Sequence, residues 1–226
     1  MLALVSSTLP AQEDPPLIYG VRLERLEYWA GADTDVVAWD GDAMVGSDEW
    51  KLRFQSLGEY DITDSAFERL ESQLLVQRPI SNFFDIVGGV RYDSPKGPDR
   101  LYGVLGVHGL APLWFEVDAD LFLSQKGNFS ARIDVDYDFL ITNRLILTPT
   151  GEFDLSFSDD QEIGVGTGLT KMELGLRLRY EVIDRSVAPY IGVHYQQLFG
   201  STKTFAQQEG DLVDGLFFVA GVRLLF

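Results

Sequence analysis

The sequence contains no cysteine, only three methionines (Met1, Met44, Met172), two histidines (His108, His194) and no long hydrophobic run. Without cysteine there is no disulfide framework, no thiolate metal site and no cysteine nucleophile. No stretch approaches the roughly 20 apolar residues of a membrane helix, which excludes a helical membrane protein. A barrel stays open, because its strands face lipid on one side only and dilute the hydropathy signal. Basic residues are also scarce: 18 Lys and Arg stand against 35 Asp and Glu, for a net charge of −17. That balance argues against nucleic acid, whose phosphates need a basic surface. At 226 residues the chain suits one domain or one barrel.

What the chain does have is period two. Phe129, Ala131, Ile133, Val135, Tyr137 and Phe139 alternate with Ser130, Arg132, Asp134, Asp136 and Asp138. Successive strand side chains point to opposite faces, so the segment has one apolar face and one charged face. Helical spacing would mix the two sets. The same alternation recurs in about twelve segments, roughly 17–30, 35–45, 48–60, 65–78, 83–93, 100–109, 113–124, 128–140, 144–157, 168–181, 188–199 and 213–226. An even number of strands of about ten residues is the pattern of bacterial outer-membrane barrels. Pro149 falls inside a strand, where it predicts a bulge or bend.

The connections near residues 46, 80, 110, 142 and 185 are tight, while 93–100, 158–167 and 200–212 are longer, polar and glycine-bearing. Short turns on one side and longer loops on the other match periplasmic and extracellular ends. Tyr19, Tyr28, Trp29, Trp39, Trp50, Trp114, Tyr137 and Tyr180 sit towards strand ends, as interface girdles do. In the last strand Leu216, Phe218, Ala220, Val222, Leu224 and Phe226 form one apolar face that runs to the terminus. A soluble sandwich or lipocalin-like barrel would show the same alternation inside out. Strand length, turn asymmetry and the terminal aromatic favour the membrane form. The expected architecture is all-β, an antiparallel up-and-down transmembrane barrel over 17–226. Residues 1–16 read as a signal-peptide remnant or a disordered arm.

Several segments resemble the copper resistance protein B family. They are 83–93 (FFDIVGGVRYD), 107–121 (VHGLAPLWFEVDADL), 130–149 (SARIDVDYDFLITNRLILTP), 166–181 (GTGLTKMELGLRLRYE), 188–193 (APYIGV) and 219–226 (VAGVRLLF). The resemblance runs in order over nearly all of 17–226. It implies a barrel of the bacterial outer membrane in a copper resistance system, binding or passing copper, with periplasmic copper proteins as partners. It also implies that Phe226 is part of the signal read by the barrel assembly machinery. Family members often carry a methionine- and histidine-rich segment ahead of the barrel, and no such composition occurs before Leu17 here.

His108 and His194 fall on the inward phase, where they could join Met44 or nearby carboxylates in a metal site. The plainer reading is a hydrogen-bonded lumen histidine. Met172 belongs to the lipid face. Glu116, Asp118, Asp120, Asp134, Asp136, Asp138, Glu152 and Asp154 come from three consecutive strands and form one acidic wall. Lys51, Arg53, Arg132, Lys171, Arg177, Arg179 and Arg223 supply the lumen cations. Such an arrangement is either a salt-bridge network filling a narrow barrel or a path that attracts cations. A narrow passive cation channel is therefore the alternative function. The Asp-rich stretches 33–42 and 158–162 lack EF-hand spacing and read as solvated loops. Gly164–Gly168 lacks the lysine of a phosphate-binding loop. Ser130 and His108 share the interior without a nucleophile-elbow pattern, so a hydrolase is disfavoured and no enzyme is expected.

Overall fold

The computed structural model describes residues 17–32, 34–94, 97–183 and 186–226. The expected signal-peptide remnant or arm at 1–16 and Asp33 lie outside the described residues. Twelve antiparallel strands close into a barrel, each paired with its neighbours in sequence, and the first with the last. They are β1 (Ile18–Ala30), β2 (Asp35–Gly46), β3 (Lys51–Asp61), β4 (Ala66–Pro79), β5 (Phe84–Asp93), β6 (Arg100–Ala111) and β7 (Phe115–Ser124). The eighth is split into β8 (Phe129–Asp136) and β9 (Phe139–Leu140). β10 (Leu145–Ser156), β11 (Gly168–Tyr180), β12 (Val187–Leu198) and β13 (Asp214–Leu225) complete the ring. Closure is required because lipid offers no partner to an open strand edge. Phe226 takes part in it: its backbone exchanges hydrogen bonds of 3.0 and 2.9 Å with Val21.

The alternation decides which residues meet lipid. In β6, Arg100, Tyr102, Val104 and His108 are buried inside, while Leu101, Leu105 and Val107 are exposed outside. Tyr19, Tyr28, Trp50, Trp114 and Tyr180 lie on the exposed outer rims. Trp29 does not belong to that girdle. It neighbours Tyr28 on one strand, so it must face the opposite way, and it is buried in the lumen at 2% exposure. On the outer wall Trp39 covers Gly58, where any Cβ would collide with the indole. Its Nε1 donates to Ser56 Oγ at 3.2 Å.

Register shifts interrupt four strand pairs. β1 slips against both of its neighbours between Leu23 and Glu27, β3 against β4 at Glu59/Tyr60, and β10 against β11 at Asp154/Leu155. Pro149 causes none. β10 keeps its register with β8 and β9 on both sides of it, and the Tyr137 N–H donates to the Pro149 carbonyl at 3.2 Å. The bond that the missing N–H would have made is lost, and the eighth strand is split opposite Pro149 with no bulge.

Both ends of the described barrel lie on the side with the short turns, so the longer connections form the extracellular side. The last of these, expected as a loop, contains helix α1 (Gly200–Glu209). It is a polar helix with no apolar stripe to announce it. Gly200 and Gly210, at φ 54° and 85°, supply the left-handed backbone on either side.

Leu105 sits near the middle of β6 on the lipid face. Leu105→Arg should destabilise the refolded barrel by about 2–4 kcal/mol, as a charge at mid-bilayer does. Urea unfolding in lipid vesicles measures this, and an unchanged midpoint would place that face away from lipid.

Candidate functional site

Strand register brings like charges together. Asp118 on β7 is directly opposite Asp134 on β8, Asp134 is opposite Glu152 on β10, and Glu152 is opposite Glu173 on β11. Four carboxylates thus stand side by side on neighbouring strands, all on the inward face. The adjacent row alternates in sign: Asp120, Arg132, Asp154 and Lys171 pair across the same strands. Like charges directly opposite are destabilising, so the acidic row needs cations from elsewhere.

Those cations come from across the lumen and from the neighbouring row. Arg69 on β4 contacts Glu59 at 3.3, Glu71 at 2.7, Glu152 at 2.8 and Glu173 at 3.4 Å. Arg132 reaches Glu71 at 2.9, Glu152 at 3.2 and Asp154 at 2.7 Å. Lys171 pairs with Glu173, and Arg91 with Glu71 at 2.9 Å and Asp93 at 2.6 Å. A second clamp joins β11 to β1, where Arg177 holds Glu27 at 2.5 Å; the Glu27 side chain has no exposed surface. Nearer the periplasmic end Arg53 meets Asp42 at 3.1 Å, Arg179 meets Asp138 at 2.7 Å, and Arg223 meets Glu24 at 2.5 Å. Lys51 lies 3.9 Å from Asp85.

The wall and cation residues expected from the sequence therefore lie on the inner face of the barrel, with Asp138 in the break between β8 and β9. Glu116 and Asp136 sit opposite each other below the row. The central partners Arg69, Glu71, Glu59 and Glu27 were not among the expected site residues. Glu59 and Arg69 flank a register shift, and Glu27 follows the bulge at Glu24, so simple alternation loses them. Following each strand across its bulge would have recovered them.

Above the network lies an extracellular cavity of about 550 Å³. Arg69, Glu71, Arg132 and Lys171 form its floor, and Thr202 and Ala206 of α1 contribute to its wall. Among the described residues, ten carboxylates and five cationic side chains line it. α1 is tied down where the Gly166 N–H donates to Thr202 Oγ1 at 2.8 Å. At the rim Glu162 accepts from Lys126 and from Arg100 (2.7 Å), and these bonds hold its carboxyl below the usual range.

The two histidines occupy different places. His108 Nε2 bonds Asp120 Oδ1 at 2.9 Å, and its Nδ1 is 3.5 Å from Asp118 Oδ2. Gly106 makes this possible, since a Cβ there would strike the Asp120 carboxylate. His194 is 1% exposed, stacks on Trp29 at 4.1 Å, and has Nε2 3.6 Å from Glu173 Oε2. Met44 pairs with Gly20 and Arg53. The strand pairing does not bring these three residues together, and among the described residues no group of three or more His, Asp or Glu has metal-holding geometry. The histidines instead border the acidic row, His108 beside Asp118 and His194 beside Glu173.

A family model described as copper resistance protein B precursor matches residues 17–226. Copper resistance protein B of Escherichia coli is 38% identical over 216 residues, covering 96% of this chain and 72% of that protein. A copper resistance protein B homolog of Pseudomonas syringae pv. tomato is 36% identical over 203 residues, covering 90% and 68%. Among solved structures, the NanC porin aligns with a TM-score of 0.55 at 12% identity, over 92% of this chain and 99% of its own. The KdgM porin gives 0.50 at 13%, with the same coverage. At such identities the porin likeness concerns the fold alone.

Arg177→Leu should cost about 3–5 kcal/mol by stranding Glu27 in the interior. The pair Glu27→Gln/Arg177→Leu should regain most of that in the same urea unfolding measurement. Equal losses in both would mean that packing, not charge, makes the clamp.

Proposed function

Since the chain belongs to the copper resistance protein B family, which acts in copper resistance at the outer membrane, we propose that its lumen binds copper ions arriving through the extracellular cavity. The observation that carries this reading is the carboxylate row Asp118–Asp134–Glu152–Glu173 with a buried imidazole beside each end. Carboxylates concentrate cations, and imidazole nitrogen is a better ligand for copper(II) than for the alkali and alkaline-earth ions that carboxylates also attract. His108 with Asp118 and Asp120, and His194 with Glu173, are the proposed donor sets. Met44 adds a thioether lower in the lumen, which suits copper(I).

The porin-type fold places lipid around the barrel. The barrel assembly machinery and periplasmic copper proteins are the proposed partners, the first through the strand that ends at Phe226. A passive channel for small cations would use the same carboxylates. The ion-paired floor beneath the cavity favours capture over free passage, because a mobile ion meets side chains already in contact.

Copper(II) titration of the refolded barrel tests the reading. The wild-type chain should bind copper more tightly than the His108→Ala/His194→Ala variant. Equal affinities would remove the lumen histidines from the site, and steady ion conductance through the wild-type barrel in planar bilayers would favour the channel instead.

A further inference from the structure

We infer that Arg69 is a tethered counter-ion standing in a cation site, and that an incoming cation must displace it. Four carboxylates converge on its guanidinium from four strands: Glu59 on β3, Glu71 on β4, Glu152 on β10 and Glu173 on β11. A planar guanidinium fork matches one or two carboxylates well. The four carboxylates are spread over three nitrogens of the guanidinium, wider than one metal ion would hold them, so a divalent cation in its place would draw them inward towards the all-oxygen coordination such ions take.

A second observation points to a ligand. His194 is 1% exposed, and neither ring nitrogen has a hydrogen-bond partner. Its Nε2 is aimed at Glu173 Oε2 across 3.6 Å. That is too long for a hydrogen bond. It is close to the separation of two ligands that share one metal at about 2.0–2.2 Å each. The other oxygen of Glu173 is held by Arg69 and Lys171. An imidazole with nothing to hold thus faces the carboxylate cup that Arg69 fills.

The displaced side chain has somewhere to go. Arg69, Glu59 and Glu71 all border the 550 Å³ cavity, and Arg69 lies next to the register shift between β3 and β4. Swinging towards that cavity would release all four carboxylates while the arginine stays among the other acidic residues of the lining. Arg69 then sets both affinity and selectivity: it excludes ions too weakly held to compete with a tethered guanidinium. This rests on the lumen being a cation-holding site, but not on copper being the ion.

The test titrates manganese(II) and copper(II) separately into the refolded full barrel. Manganese(II) is followed by loss of the free-ion paramagnetic resonance signal. Arg69→Gln should bind one manganese ion at least about tenfold more tightly than wild type and more tightly than Arg91→Gln, which removes the same charge beside Glu71 without emptying the cup. Adding Glu152→Gln should take the gain back. Unchanged manganese binding in Arg69→Gln overturns the proposal, as does a gain that Glu152→Gln leaves intact. If Arg69→Gln fails to assemble, the charge-balanced Arg69→Gln/Glu59→Gln, with three carboxylates and His194 in place, should show the same gain, and its absence there overturns the proposal equally. Absence of copper binding to the wild-type chain together with a manganese gain in the variant would sink the copper reading and leave this one standing.

Discussion

Asp118, Asp134, Glu152 and Glu173 repel one another along a row set by strand pairing, and the lumen is organised around relieving that repulsion. Direct pairing within the row cannot do it, because the register that creates the row is the register that closes the barrel. The relief comes from opposite the row, chiefly from Arg69, and from Arg132 in the row beside it. Each cross-lumen contact ties strands that are distant in sequence, so the ion pairs cross-brace the cylinder. Buried ion pairs contribute little net stability once desolvation is counted, yet removing one partner is costly. The network therefore constrains the lumen more than it strengthens the fold.

The same charges divide the interior by function. Towards the extracellular side they leave a cavity with an acidic lining, one wall of it built by α1. Below it, guanidinium groups and carboxylates are in contact. The histidines flank this boundary, His194 against Trp29 and His108 against the Asp118–Asp120 pair. A cation attracted from outside would meet oxygen donors first and imidazole next, in an environment drier than water. That order is the physical content of the proposed copper role.

Much of this arrangement is legible in the sequence. Wherever a strand keeps strict alternation, as β6, β7 and β8 do, the inward residues follow from counting by two, and His108, Asp118 and Arg132 are found that way. Where an extra residue interrupts the count, the reading fails locally. Glu27, Glu59 and Arg69 all lie next to such interruptions. Trp29 misleads for a different reason: its type suits an interface girdle, but its neighbour Tyr28 already occupies the outward phase. The helix α1 escapes because a polar helix over a barrel mouth has no periodic apolar signal.

The sequence by itself determined about twelve strands, each with one apolar and one charged face, because side-chain direction in a strand depends only on parity, and its strand lengths, turn asymmetry and terminal aromatic turned the apolar face towards lipid. Parity does not say which residues of distant strands meet across a lumen. Strand tilt, register and bulges decide that, and they are collective properties of the closed ring. Only the tertiary structure could turn a scattered set of acids and arginines into one repelling row, one guanidinium among four carboxylates and two histidines at the row's edges.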